Sequence, residues 1–472
     1  MYLLNFTGMF KKVFLLFLAF SIFAFSSCGF EDEYSGDSPS SRPPLNVVSE
    51  EESGDNNSDS WLDEIEGFNY NQRDFIIVTT DGEYFEAEGG SSLIEKAVFN
   101  RNDAIETKFN VKLDIRVTTD DEIIQNGIPA IKRGERYADL IVASANTLAS
   151  LAEAECLTNL NTLPFFDKTA EYMNGELVSS SEINGKLYLL FGSLAQTEYS
   201  AWCVFYNDEI AKKTGIDPFS LYKEGKWDWK AFLEFSDYAS KYAENGFLSV
   251  AEDDDFLNAL WATTGNKFFG ECSNTALSLP TVENGKEILS SIRKIIKSEA
   301  FGKEHGVSAL EAFADGKSAM LLCRRNAVYQ ICESGIEWSA VPMPKMDGES
   351  NHYSYVDGEA FATAVPSCVS DSDFVGRILN ALCISTEKTV TKGIGLNELY
   401  YYWSDNETAL QMEETKKNLH LDIGLVYSSA FKDIAAVTTE NIKTAFNAGI
   451  SPFQFYHSTK NQFLLCAEKY FG

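Results

Sequence analysis

From residue 74 onward, short apolar runs alternate with amphipathic segments, and this alternation restricts the fold more than any other feature of the chain. Residues 75–79 (Phe-Ile-Ile-Val-Thr) form a short, largely apolar run with the length of a strand buried on both faces. Ser91 or Ser92 can cap a helix that reaches about residue 109, with Ile94, Val98, Ile105 and Phe109 on or near one face. Val111, Leu113, Ile115 and Val117 alternate with polar neighbours, the period of a strand. Residues 139–143 read as a second buried strand and 146–155 as the next helix. Strand, helix and strand at this spacing predict parallel βαβ units covered on both faces, hence an α/β chain.

Residues 186–191 and 201–206 then read as two extended segments joined without a helix, a crossing between two lobes. A short helix over 208–214 is closed by Gly215, which suits the left-handed position after a helix end. Helices are expected over 229–245, with Phe232, Phe235, Tyr238, Ala239 and Tyr242 on the apolar side, and over 283–298 and 308–313. Residues 319–323 read as a strand, and the chain after Asp371 as mainly helical.

The N-terminal region has a different character. Lys11 and Lys12 precede an apolar run over residues 13–25, too short for the about 20 residues that a spanning helix needs. Ser26-Ser27-Cys28-Gly29 follows. A charged start, a short apolar core and small residues before a break describe a secretory signal peptide over residues 1–27. The Cys placed directly after the small residues resembles the lipobox of bacterial lipoproteins, which implies a diacylglycerol on Cys28 as the mature N-terminus. The alternative is an ordinary signal peptide cut near Ser27. Residues 28–72 are dense in Ser, Asp, Glu, Asn and Gly and cannot bury enough surface to offset ordering entropy. They read as a flexible linker with an r.m.s. span of roughly 35–40 Å.

The 472 residues suffice for two or three domains with real cores. Their net charge of −31 becomes −33 once Lys11 and Lys12 leave with the signal, because that segment holds no acidic residue. Such a chain is repelled by phosphate backbones and anionic headgroups, which argues against a nucleic-acid partner. Besides Cys28 there are eight Cys, none in a CxxC pair; an exported chain permits disulfides among them, while their apolar surroundings suit small buried hydrophobes. Four scattered His give no metal-ligand spacing, and no cofactor is expected. Enzyme signatures such as GxSxG, a P-loop, HExxH or GxGxxG are missing from the sequence. The acidic run Glu252-Asp253-Asp254-Asp255 reads as a solvated surface in a chain with 70 acidic residues.

Four blocks, in order, carry a resemblance that covers nearly the whole mature chain. The first runs from Tyr137-Ala138-Asp139-Leu140-Ile141-Val142-Ala143 through Leu148 to Leu160. The second joins Asn184-Gly185-Lys186-Leu187-Tyr188 to Phe205-Tyr206-Asn207-Asp208-Glu209 and Lys213-Thr214-Gly215-Ile216-Asp217-Pro218. The third is Lys226-Trp227-Asp228-Trp229-Lys230-Ala231-Phe232. The fourth is Phe313-Ala314-Asp315-Gly316-Lys317-Ser318-Ala319-Met320, with Val341-Pro342-Met343-Pro344 behind it. Together they resemble the extracellular solute-binding proteins of ABC sugar importers, the family 1 or maltose-binding-like group. The resemblance implies a two-lobed, type II periplasmic-binding-protein-like fold, each lobe a mixed sheet flanked by helices. Lobe one is expected to hold residues 73–196 and 325–385, and lobe two 197–324 and 386–472. It implies a monomeric, non-enzymatic receptor outside the cell that hands a carbohydrate, an oligosaccharide in the first place, to ABC permease subunits.

In such a fold, ligands sit at the C-terminal ends of strands facing the cleft. Candidate ligand contacts are therefore Asp81 and Glu83 after the first strand, and Ser144, Asn146 and Thr147 after the 139–143 strand, where helix capping is the competing role. Tyr199, Ser200 and Trp202 fall on the first crossing, Arg324 and Asn326 on the second, and Glu359 where the next strand enters the cleft. Trp261 and Trp403 are candidate stacking platforms, with core packing as the competing role. Three alternatives stay open: a receptor for a cationic solute such as a polyamine, with Asp81, Glu83 and Glu359 converging; a surface glycan-processing enzyme with two facing carboxylates; and a purely structural surface lipoprotein.

Overall fold

Strand β1 (Arg73–Thr79) sits at the centre of a buried sheet, and its side chains divide by parity: Phe75 and Ile77 enter one apolar cluster, Ile76 and Val78 another. The computed structural model describes residues 65–451 apart from 88, 91, 252, 268–281, 304–305 and 404, together with 62, 453–454, 465 and 468–470. The signal-like segment, Cys28, Cys272, Cys466 and most of the linker lie outside the described residues. Residues 58–472 form one compact unit.

The first sheet joins β1 to β2 (Val111–Val117), β3 (Leu140–Ser144) and β9 (Phe361–Ala364) in the order β2-β1-β3-β9. Both partners of β1 are parallel to it, whereas β9 runs antiparallel to β3. Helix α1 (Leu93–Phe109) makes the crossover between β1 and β2. Ser92 caps it by accepting the Glu95 amide at 3.0 Å, and Asn110 ends it in the left-handed conformation. Ile94, Val98, Ile105 and Phe109 are its buried face, as the apolar spacing predicts.

The second sheet has the order β5-β6-β4-β7, from β4 (Trp202–Asn207), β5 (Leu248–Ser249), β6 (Met320–Arg324) and β7 (Trp338–Pro342). Here too parity separates two packed faces: Cys203, Phe205, Leu321 and Cys323 on one, Trp202, Val204, Met320 and Leu322 on the other. The second group shares a cluster with Ile76, Val78, Ile141 and Ala143 of the first sheet, so one continuous core links the two. A third pairing joins β8 (Ser354–Val356) to β10 (Leu419–Leu421) in parallel. Helices α2 (Ala145–Glu153), α3 (Asp253–Ala262), α4 (Thr391–Tyr401), α5 (Asn406–Glu414), α6 (Ile423–Tyr427) and α7 (Thr439–Ala448) cover these sheets or connect them.

Several segments depart from the sequence expectation. β7 lies within the stretch 325–385 expected in lobe one, yet it pairs antiparallel with β4 in the second sheet. Val390 and Ile394, within the stretch expected in lobe two, pack on Ile94 and Val98 of α1 beside the first sheet. The helix expected over 229–245 stops at Ala239, and Tyr238 and Tyr242 are exposed. The chain turns away there because the amides of Asn245 and Gly246 bond to Lys317 and Ala300, which brings β5 alongside β6. Residues 186–191 form single bridges only, Lys186 with Ile183 and Leu190 with Thr363 of β9.

Candidate functional site

A cavity of about 620 Å³ opens where the second sheet meets the 357–359 segment that leads into β9. Its walls are ends of elements: Asn146 just past β3, Val250 and Ala251 just past β5, Arg324 at the end of β6, and Trp202 at the start of the antiparallel β4. This is the ligand position expected of open α/β sheets, outside the carboxyl ends of the strands. Helices α3 and α7 close the opposite side with Asp255 and Asn258, and with Thr439, Glu440 and Lys443. Leu425 of α6 and the following Ser428 and Ser429 complete it.

At its base lies a bonded network centred on Asp357. The indole Nε1 of Trp202 donates to Asp357 Oδ2 at 2.6 Å, and Arg324 donates to the same oxygen through Nε at 2.9 Å and Nη2 at 2.8 Å. The Glu359 amide donates to Asp357 Oδ1 at 2.9 Å. Glu359 Oε1 in turn accepts from Asn146 Nδ2 at 2.7 Å, while the Asn146 amide donates to the Gly358 carbonyl at 2.8 Å. One carboxylate therefore ties β4 and β6 of the second sheet to the chain entering β9, and that chain to the first turn of α2. Burial works against the charge of Arg324, but the facing Asp357 charge and its hydrogen bonds outweigh it, so the guanidinium pKa is raised. The ring of Tyr355 lies 6.2 Å from that of Trp202; both are buried, so only a small part of each meets the cavity, and burial raises the Tyr355 hydroxyl pKa well above the usual value.

Of the residues singled out in the sequence, the structure brings Asn146, Trp202, Arg324 and Glu359 together on this cavity. The others lie elsewhere. Ser144 accepts the Thr147 amide at 3.2 Å as the cap of α2, and both side chains are buried there. Asp81 accepts the Glu83 amide at 3.0 Å beyond the end of β1; burial raises the pKa of both acids, and for Glu83 the neighbouring Asp81 charge adds to it. Tyr199 packs over Arg325 and accepts from Lys416 Nζ at 3.0 Å, and Ser200 ends the same turn. Asn326 is exposed in the turn after β6. Trp261 is wholly buried within α3. Trp403 is also buried, stacked on Phe205 at 6.1 Å with its Nε1 donating to Glu398.

Asp357, Tyr355, Asp255, Asn258, Ser428, Ser429, Thr439, Glu440 and Lys443 were not singled out as contacts. The Asp-Gly pair at 357–358, directly behind a strand, is the one local signal that points to this turn. The side chains from α3, α6 and α7 come to the cavity only through tertiary packing. Among the described residues no group of His, Cys, Asp and Glu could hold a metal ion, and no helix is long and apolar enough to cross a membrane.

Two sheets flanked by helices, with a polar cavity at their strand ends, define a type II periplasmic-binding-protein fold. The chain belongs to the bacterial extracellular solute-binding protein family, whose model matches residues 101–374. Three solved structures share the fold. The GacH receptor of Streptomyces glaucescens GLA.O, determined unliganded and with acarbose and an acarbose homolog, is 14% identical with a TM-score of 0.50, over 81% of this chain and 95% of that one. An ABC substrate-binding protein of Listeria monocytogenes in complex with cycloalternan is 14% identical with a TM-score of 0.50, over 83% and 98%. The cyclic α-maltosyl-1,6-maltose binding protein of Arthrobacter globiformis is 12% identical with a TM-score of 0.57, over 84% and 100%. No curated protein sequence matches the chain.

Proposed function

We propose that this protein is a lipid-anchored receptor that captures an oligosaccharide outside the cell and hands it to an ABC permease, with no bond made or broken. The observation that carries the carbohydrate reading is the cavity lining. Amides and hydroxyls from Asn146, Asn258, Ser428, Ser429 and Thr439 line the cavity, and the small exposed parts of the otherwise buried Trp202 and Tyr355 rings add apolar surface to it. Sugars need this pairing of directional polar groups with flat apolar surface. The volume of about 620 Å³ falls inside the range of roughly 300–1,000 Å³ typical of small-ligand sites. The glycans bound by the three like-folded proteins support the same class of ligand.

Catalysis finds less support. The family and the three like-folded proteins are binding proteins, and Asp357, the acid at the centre of the network, is held by Arg324, Trp202 and the Glu359 amide. The anchor rests on Cys28, and delivery to a permease on the family. A thermal-shift screen against mono- and oligosaccharides and polyamines tests the reading. A matching sugar at 100 Kd should stabilise the protein by about 2.7 kcal/mol. A melt unmoved by every sugar but raised by a polyamine rules out carbohydrate, and release of a shortened glycan rules out a pure receptor. Mass spectrometry of the mature N-terminus tests for a diacylglyceryl Cys28.

A further inference from the structure

The charges around the cavity are unequal. Asp255, Asp357, Glu359 and Glu440 contribute four carboxylates, Arg324 and Lys443 two cations. Arg324 is engaged by Asp357 through two guanidinium nitrogens. Setting that pair aside leaves three carboxylates against Lys443, an excess of two negative charges. Asp255, Glu359 and Glu440 are exposed, so water reaches them, although Glu359 also accepts from Asn146 Nδ2. When a two-lobed receptor closes, that water leaves. A carboxylate deprived of water is costly unless donors or a positive charge replace it.

We infer that the solute carries a protonated amine, as an amino sugar within an oligosaccharide does, and that glycans bearing carboxylate or phosphate are rejected. An ammonium brings three donors and the compensating charge to one point. A neutral hydroxyl brings one donor and no charge. A uronate adds repulsion: Arg324 is fixed on Asp357 with Trp202 bonded to the same oxygen, and Lys443, the second cation of the lining, is outnumbered there by carboxylates. This inference rests on the carbohydrate reading for its sugar part, while its charge part stands on the lining residues alone.

Calorimetric titration of the protein with matched probes tests it: maltotriose, its 6-amino-6-deoxy derivative and its C6-oxidised uronate, a parallel set on cellotriose, and spermidine. Within the skeleton that binds, the amine should bind about tenfold more tightly than the parent, and the preference should shrink as salt rises. The uronate should give no measurable heat. Glu440→Gln and Glu359→Gln should each lower the ratio of amine to parent affinity. Equal affinity for amine and parent, or uronate binding at the level of the parent, overturns the charge inference and leaves the sugar reading standing. Binding of spermidine alone supports the charge inference and overturns the sugar reading. Silence from every probe overturns both.

Discussion

The Nε1 of Trp202 lies 2.6 Å from Asp357 Oδ2, so the first residue of β4 is bonded to a turn 155 positions further along the chain. Because Arg324 holds the same oxygen, Asp357 is the shared partner of both cavity-facing residues at this end of the second sheet. Asp357→Ala strands a guanidinium that is largely out of water together with a buried indole N–H. We expect a loss of about 2–4 kcal/mol in denaturant unfolding, and weaker solute binding. Trp202→Phe removes the donor and part of the ring but leaves Arg324 paired with Asp357, so it should cost less than Asp357→Ala. Equal costs would show that ring volume, not the hydrogen bond, is what matters.

Gly358 approaches Asn146 so closely that a Cβ there would stand 2.1 Å from Asn146 Oδ1. In Gly358→Ala the Asn146 side chain must swing away and release Glu359 Oε1. Affinity should fall by about tenfold while stability changes by about 1 kcal/mol or less, since only the end of a side chain yields. Titration beside a melt separates the two effects; a full loss of folding would contradict the local account.

Directly after Arg324 the chain turns, and Arg325 enters the opposite side of the sheet. There it pairs with Glu398, both side chains almost wholly buried, and reaches Glu413 at 2.7 Å beneath the Trp403 and Tyr199 rings. Glu398→Ala leaves that cation without its innermost partner and should cost about 3–5 kcal/mol. Arg325→Met combined with Glu398→Leu should be less damaging than Glu398→Ala alone. An additive double mutant would contradict a coupled pair.

His420 of β10 is buried, with Nε2 3.2 Å from the Asn266 carbonyl. Burial, helped by the Lys267 charge, lowers its pKa from 6.5 to about 3. Between these values the unfolded chain binds a proton that the folded chain refuses. The stabilising contribution is therefore complete above pH 6.5 and drains away as pH falls toward about 3, by up to about 1.4 kcal/mol per pH unit. Unfolding curves of the wild type and His420→Gln across this window should differ in slope, because the carboxylates titrate alike in both. Parallel curves would refute the assignment.

The fold was legible where local pattern and final packing agree. The uninterrupted apolar residues of β1 and β3 announced strands buried on both faces, and Ser92 with the Ile94, Val98, Ile105 and Phe109 spacing announced α1. The site was less legible. Asn146 follows from the rule that ligands meet strand ends, Trp202 and Arg324 from the two expected crossings, and Glu359 from the strand expected to enter the cleft. Asp255 looked like part of a solvated acidic run, and nothing around Glu440 or Lys443 in sequence marks them, because α3 and α7 are brought to the cavity by packing alone. Trp261 and Trp403 show the converse: an aromatic on an apolar segment does not reveal which side of the layer it faces, and both went into the core.

The most direct test of the central claim is a crystal structure of the protein with the tightest-binding sugar from the screen. The account places the rings in the cavity above Trp202 and Tyr355, with hydroxyls or an amine bonded to Asn146, Asn258 and Glu359. Sugar density in the separate groove between Tyr206, Asp217 and Glu407, with the Trp202 cavity empty, would contradict it.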